Sequence, residues 1–137
     1  MSKEEEIQKM ALQWSGLQAD LQALSQKREG VLIQLYELET TKKALDDLEK
    51  ITPGKDALIQ IGFGNFIEGN ITNTDNVVVS IGAGVALKKS RKEALDIIEK
   101  RIASMKEIAE QIAHEIEEIG NSMFALQQKI EHMQQSV

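Results

Sequence analysis

Cysteine is missing from the 137 residues of this chain, which excludes disulfide bonds, thiol chemistry and any metal site that depends on thiolate ligands. Basic residues are outnumbered, with 16 Lys and Arg against 22 Asp and Glu, and the net charge of −6 argues against a nucleic-acid partner. No apolar run is long enough to cross a bilayer, and the acidic start Met-Ser-Lys-Glu-Glu-Glu is unlike a signal peptide. We therefore expect a soluble, cytoplasmic protein without a nucleic-acid or membrane partner.

Turn residues are scarce outside one short stretch, because the single proline lies at position 53 and six of the nine glycines lie between positions 54 and 84. The sequence Ile61-Gly62-Phe63-Gly64 returns twenty positions later as Ile81-Gly82-Ala83-Gly84. Each copy separates two apolar runs, which is typical of a β-hairpin whose turn requires positive φ. The sequence therefore predicts two hairpins within 56–89, joined at 72–75, with strands at 57–61, 66–71, 76–81 and 85–89.

Alternation along the predicted strands places one set of apolar residues on a common face. The set is Ile59, Ile61, Ile67, Ile71, Val77, Val79, Ile81, Val85 and Leu87. Two short hairpins are only marginally stable alone, and they leave strand edges unpaired. Hairpins from several chains could close into a shared β-barrel that covers this face and removes the edges. We therefore expect an oligomer in which these residues form the assembly surface.

Capping-box spacing marks the start of a long helix on each side of the hairpins, at Ser2 with Glu5 and at Ser90 with Glu93. The predicted helices span about 3–50, ending before Pro53-Gly54, and about 91–136. Apolar residues recur at heptad a and d positions from Ile7 to Leu45 in the first helix and from Leu95 to Val137 in the second.

Two heptad helices of similar length, joined by a compact insert, are expected to fold back antiparallel. The favoured pairs have residue numbers that add to 140, although a slip by one heptad remains possible. They are Leu45 with Leu95, Leu38 with Ile102, Leu21 with Ile119, Trp14 with Leu126 and Met10 with Ile130. The predicted fold is thus mainly α with a small β part: a long antiparallel two-helix coiled coil joined by two central β-hairpins.

Two basic residues interrupt the apolar seam at a positions. Arg28 would face Ile112, and Lys42 would face Ile98. Their long stems could cover the seam while the charges reach water, or the charges could fix the register of the coil.

The segment Thr72–Ser90, which contains Thr-Asp-Asn-Val-Val-Val-Ser-Ile-Gly-Ala-Gly-Val-Ala-Leu-Lys-Lys-Ser, resembles archaeal α-type subunits of the prefoldin family. The resemblance covers essentially the whole chain as one domain, 1–137, and α-type subunits have two hairpins where β-type subunits have one. It implies a hexamer of two α-type and four β-type subunits, with a β-barrel platform. It also implies ATP-independent capture of non-native polypeptides and their delivery to a group II chaperonin. The alternative is a structural or filament-forming relative.

The free end of the predicted coil is rich in methionine, a flexible residue that suits the binding of many different sequences. The candidate client-binding residues are Met10, Leu12, Trp14, Leu17, Met123, Phe124, Leu126, Ile130 and Met133. Leu12 and Phe124 fall off the seam, whereas a and d residues such as Trp14 could simply be core. Gly16 and Gly120 each cost about 1 kcal/mol relative to alanine inside a helix, so this end is expected to open more easily.

Enzymatic chemistry has little support in the sequence. The stretch Gly82–Ser90 lacks the glycine that a phosphate-binding loop needs before its Lys-Ser pair. His114 and His132 are eighteen residues apart without ligand spacing, and both are predicted to face solvent. We therefore expect no catalytic residues, no cofactor and no metal.

Overall fold

The computed structural model describes residues 2–135, and it contains two long helices with four strands between them. The elements are α1 (Lys3–Leu48), β1 (Lys55–Gly62), β2 (Asn65–Ile71), β3 (Asn76–Gly82), β4 (Val85–Ser90) and α2 (Arg91–Gln135). This confirms the predicted fold class, apart from the barrel, which would require further chains. Met1, the predicted end of α2 at position 136 and the last seam residue, Val137, lie outside the described residues.

The chain divides into two compact units. The coil unit comprises residues 1–35 and 104–137, of which 2–35 and 104–135 are described; from Lys3 onward these described residues are helical. The hairpin unit comprises residues 36–103, and it contains the end of α1, all four strands and the start of α2.

The first helix begins as its sequence predicts and ends slightly earlier. The backbone N–H of Glu5 donates a hydrogen bond of 3.2 Å to Ser2 Oγ, which caps the helix. At the other end, α1 stops at Leu48, five residues before Pro53, rather than at about residue 50. Hydrogen bonds from the N–H groups of residues 49, 50 and 51 to carbonyls three positions earlier tighten the chain into a 3₁₀-type turn there. The α-helix therefore ends where its hydrogen bonds change to the 3₁₀ pattern, five residues before Pro53.

The second helix follows β4 without a loop, because Ser90 ends the strand and also caps the helix. Its Oγ accepts a hydrogen bond of 3.1 Å from the Glu93 N–H and lies 3.1 Å from Glu93 Oε1. The Arg91 N–H, which has no partner within the helix, donates to the Asp75 carbonyl at 2.8 Å. Strand β4 thus passes directly into α2, and the N–H groups of Arg91 and Glu93 both have partners at the junction.

The strands form two separate two-stranded antiparallel sheets, hairpin 1 (β1–β2) and hairpin 2 (β3–β4). Each has a two-residue turn in which both residues have positive φ: 47° and 75° at Phe63 and Gly64, and 51° and 73° at Ala83 and Gly84. Such turns match the twist of the strands that they join. Each hairpin also has a register shift just before its turn, between Gln60 and Gly62 and between Ser80 and Gly82.

Within the hairpin unit, the two helix segments run antiparallel. Lys42 Nζ lies 3.8 Å from Glu99 Oε1, and Arg91 Nη1 lies 3.4 Å from Glu49 Oε2. These contacts fit the predicted register and exclude a slip by one heptad in this unit. The buried apolar residues of the unit are Leu45, Val79, Ala94, Ile98 and Ile102.

The predicted seam lies inward in the coil unit as well. Val31 and Ile112 are buried, and the other a and d residues of α1 from Ile7 to Leu24 are half-buried. Arg28 is the exception, because it is exposed. The Arg28 charge therefore reaches water, which fits the first of the two interpretations. Lys42 is instead half-buried and lies 3.8 Å from Glu99, which fits a role in fixing the register.

Candidate assembly and client-binding surfaces

The predicted assembly residues are divided between the two sheets rather than placed on one. Cross-strand pairing joins Ile59 to Ile67 on hairpin 1 and Val79 to Leu87 on hairpin 2, so the predicted alternation holds within each hairpin. Six of the nine residues are exposed, namely Ile59, Ile61, Ile67, Ile81, Val85 and Leu87. Ile71 and Val77 are half-buried, and Val79 is buried. Most of the predicted surface is thus available to other chains.

Hairpin 2 is packed against the start of α2. Arg101 Nη2 donates a hydrogen bond of 3.0 Å to the Ser80 carbonyl, and Lys89 Nζ lies 3.8 Å from Glu93 Oε2. Val79 is buried, whereas every strand residue of hairpin 1 is at least partly exposed. The two hairpins therefore differ in exposure, a difference that their near-identical sequence pattern does not predict.

Apolar residues outside the predicted set are also exposed on the hairpins. Leu58 and Val78 are 68% and 73% exposed, and Phe66 is exposed on the same face as Leu58. Phe63 stands fully exposed at the turn of hairpin 1. The predicted assembly set was taken from one alternating face of each strand, so it did not include these four residues. A sheet with apolar residues on both faces is typical of one that other chains cover on both sides.

The predicted client-binding residues separate into two groups in the coil unit. Those at a and d positions are half-buried, namely Met10, Trp14, Leu17, Met123, Leu126, Ile130 and Met133. Trp14 and Ile130 line a small cavity together, although the predicted partners were Leu126 for Trp14 and Met10 for Ile130. Leu12 and Phe124 are instead 74% and 65% exposed. These two side chains are therefore free to contact another polypeptide, as their off-seam positions predict.

Three helix glycines, Gly16, Gly30 and Gly120, have open space where a Cβ would stand. No steric contact therefore requires glycine at any of them. Gly16 and Gly120 were predicted to weaken the free end of the coil, whereas Gly30 is an additional one that the sequence argument overlooked. Each lowers the intrinsic stability of its helix relative to alanine.

The described residues contain neither a cluster of three or more potential metal-binding side chains nor a helix long and apolar enough to span a membrane. His114 is exposed, and its Nε2 lies 3.1 Å from Glu118 Oε1 one helical turn away. The exposed and half-exposed apolar residues are thus the functional candidates.

Comparison with known proteins gives one consistent family. The profile of the prefoldin subunit matches residues 17–136. The chain is 31% identical to prefoldin subunit alpha of Pyrococcus horikoshii over 131 residues, which is 95% of this chain and 88% of the relative. It is 36% identical to prefoldin subunit alpha of Methanobrevibacter smithii over 107 residues, covering 68% of this chain and 69% of the relative.

Solved structures show the same fold. The filamentous PFD of Methanocaldococcus jannaschii matches with a TM-score of 0.62 at 24% identity, covering 89% of this chain and 95% of that one. The prefoldin beta subunit of Thermococcus strain KS-1 matches with a TM-score of 0.61 at 16% identity, covering 93% and 90%. Two long helices flanking two hairpins, a matching family profile and α-type relatives along nearly the whole chain agree: the chain belongs to the prefoldin family, a family of chaperones, and is similar to its archaeal alpha subunits.

Proposed function

We propose that the chain is an ATP-independent holdase subunit, which captures non-native polypeptides at the free end of its coil and passes them to a group II chaperonin. The observation that carries this proposal is the exposure of Leu12 and Phe124 in the coil unit. Large apolar side chains in water favour contact with the apolar segments of an unfolded chain. No catalytic step is needed, because binding alone prevents aggregation.

The half-buried residues around Leu12 and Phe124 extend the proposed surface. Met10, Met123 and Met133 are only partly covered in the coil unit, and methionine adapts its shape to different partners. A modest opening of this end would expose them further. Contacts from one subunit would be weak, but several subunits held together would add their binding through effective concentration.

The hairpins are the proposed site of subunit assembly. Their exposed apolar residues would be covered by prefoldin β-type subunits in a complex of two α-type and four β-type chains. The exposure of Ile59, Ile67 and Leu87 in the single chain supports such a contact. Free strand edges on both two-stranded sheets provide further hydrogen-bonding groups for partners.

The test is suppression of client aggregation by the chain assembled with a β-type partner. Replacing Leu12 and Phe124 together by serine should abolish most of the suppression, because it removes the exposed apolar surface. Tyr36→Ser is the matched control, since Tyr36 is equally exposed at 75% but belongs to the hairpin unit. The size of the complex should be unchanged in both variants. Full suppression by the double variant would refute the proposal.

A second candidate function is a structural one, in which the chain forms filaments. It is favoured by the similarity in fold to a filamentous PFD and by the exposed hairpin residues. Size measurement of the chain alone and with a β-type partner distinguishes the two. A holdase subunit should give a closed complex with the partner, whereas a filament former should give open polymers.

A further inference from the structure

Sulfur occurs in this chain only in methionine, because cysteine is absent. Four methionines lie among the described residues, namely Met10, Met105, Met123 and Met133. All four occupy a or d positions of the coil unit, and all four are half-buried. Met10, Met123 and Met133 lie in the segments 2–20 and 120–135, which we call the free end. Met105 lies outside it.

Half-burial gives these thioethers two properties at once. Each is covered enough to belong to the packing of the coil unit, and each is open enough for a small solute to reach it. The two helices meet at the free end, because Trp14 of α1 and Ile130 of α2 line one small cavity. A change of polarity at these sulfur atoms would therefore be felt by the packing between the helices.

Methionine is not required at these positions for packing alone. Leucine has a similar volume and is apolar, so it could replace methionine in the seam at little cost. The thioether differs from leucine in its chemistry, because it is readily oxidised. Three oxidisable residues in one packed segment therefore distinguish the free end from an ordinary heptad seam.

A peroxide oxidises a thioether by transferring one oxygen atom. The sulfur lone pair attacks a peroxide oxygen, so that an S–O bond forms and the O–O bond breaks. The sulfur loses two electrons and the peroxide gains them; with hydrogen peroxide, the proton of the transferred oxygen moves to the departing hydroxide, which leaves as water. The product is methionine sulfoxide, which is polar where the thioether is apolar and which methionine sulfoxide reductases convert back.

A sulfoxide oxygen in the seam would find few hydrogen-bond donors. The other a and d residues of the free end are Ile7, Trp14, Leu17, Leu126 and Ile130. Apart from the Trp14 indole N–H, none of their side chains can donate a hydrogen bond. A polar group left among apolar side chains destabilises the packed state and so favours an open one.

We infer that Met10, Met123 and Met133 form an oxidation switch, in which a peroxide converts them to sulfoxides and thereby opens the free end. The helix glycines Gly16 and Gly120 lie in the same segments and lower the stability that the sulfoxides must overcome. The link to client capture rests on the proposed function: opening should raise capture, because it uncovers half-buried apolar side chains.

The test compares the full chain before and after treatment with hydrogen peroxide, which is removed before any measurement. Mass spectrometry of peptides shows which methionines have gained oxygen. Hydrogen exchange in the free end should become about tenfold faster, because an unpaired polar group shifts the packing equilibrium by about that factor. Exchange in residues 36–103 should be unchanged, and enzymatic reduction of the sulfoxides should restore the original rates.

Leucine variants show which sulfur atoms are responsible. M10L/M123L/M133L keeps apolar side chains of similar volume and should lose the response to peroxide. Met105→Leu is the matched control, because it removes the half-buried methionine outside the free end and should keep the full response. Unchanged exchange in the treated parent, or an equal response of the triple variant and the parent, would overturn the inference.

Client capture is measured separately, so that the inference and the proposed function can fail independently. The unoxidised chain, assembled with a β-type partner, tests the proposed function by itself. The parent, oxidised before assembly with the same partner, should suppress aggregation at a lower ratio of complex to client, and the triple variant should show no such gain. Absence of capture before oxidation, with faster exchange after it, would contradict only the proposed function. A loss of capture on oxidation would overturn the switch.

Discussion

The Arg101 guanidinium donates a hydrogen bond of 3.0 Å to the Ser80 carbonyl, which joins α2 to β3 across 21 positions of sequence. This contact helps to explain why hairpin 2 is packed on the helix. Within its sheet, β3 pairs only with β4. The Arg101 side chain thus adds a contact from the helix to the backbone of β3.

Replacing Arg101 by alanine should loosen hairpin 2 while leaving the coil unit unchanged. The lost hydrogen bond is to a charged donor at an exposed site, so a cost of about 1 kcal/mol is expected. Hydrogen exchange should become faster in β3 and β4 but not in residues 104–135. Lys100→Ala is the control, because Lys100 is exposed on the same helix. Equal exchange in the two variants would rule out an anchoring role for Arg101.

Enlarging Ala94 should destabilise the hairpin unit. Ala94 is 1% exposed, so Ala94→Leu would add three carbon atoms at a buried position. Overpacking of this kind costs about 1–3 kcal/mol, and thermal unfolding would measure it. Ala103→Leu makes the same change at an exposed position of the same helix and should be close to neutral. Equal unfolding temperatures for Ala94→Leu and Ala103→Leu would show that the packing around Ala94 accommodates a larger side chain.

Removing helix glycines should separate stability from client capture. Alanine at Gly16 and Gly120 meets no neighbouring atom, so each change should stabilise its helix by about 1 kcal/mol. If this end of the coil must open to bind, the stabilised double variant should suppress aggregation less well. Gly30→Ala offers the same open space and should stabilise the helix without affecting capture. Undiminished capture by the double variant would show that opening is not required.

Relieving the turn of hairpin 1 should show whether Phe63 serves assembly. Phe63 has a φ of 47°, which is unfavourable for a bulky residue, and its ring is fully exposed in the single chain. Phe63→Asn should therefore stabilise the single chain by about 1 kcal/mol, since asparagine tolerates this conformation better.

The matched variant is Ala83→Asn, at the equivalent turn position with a φ of 51°. If only Phe63→Asn weakens assembly with a β-type partner, as measured by complex size, the ring contacts another subunit. Equal assembly of both variants would leave the ring without that role.

Local sequence signals predicted most of the fold. Capping residues located both helix starts, and the repeated Gly-x-Gly located both turns, because these features depend on backbone conformation within a few residues. The end of α1 was predicted two residues too late. Proline marks where a helix cannot continue, but the last turn tightens before that point.

Features that depend on contacts distant in sequence could not be predicted. The hydrogen bond from Arg101 to Ser80 requires the position of hairpin 2 against α2, and the periodic pattern of the sequence does not specify that position. Heptad reasoning placed Leu95 in the seam, yet Leu95 is half-buried whereas Ala94 is buried. The exposure of Leu12 and Phe124 was predictable because heptad position alone determines it.

The shift of twenty positions that relates the hairpins gives one chain two modules of the same geometry, with matching register, turns and bulges. If both modules bind partners as proposed, a variant with only one working module should terminate assemblies rather than extend them. Small amounts of such a variant, added to the parent protein, should then shorten the assemblies.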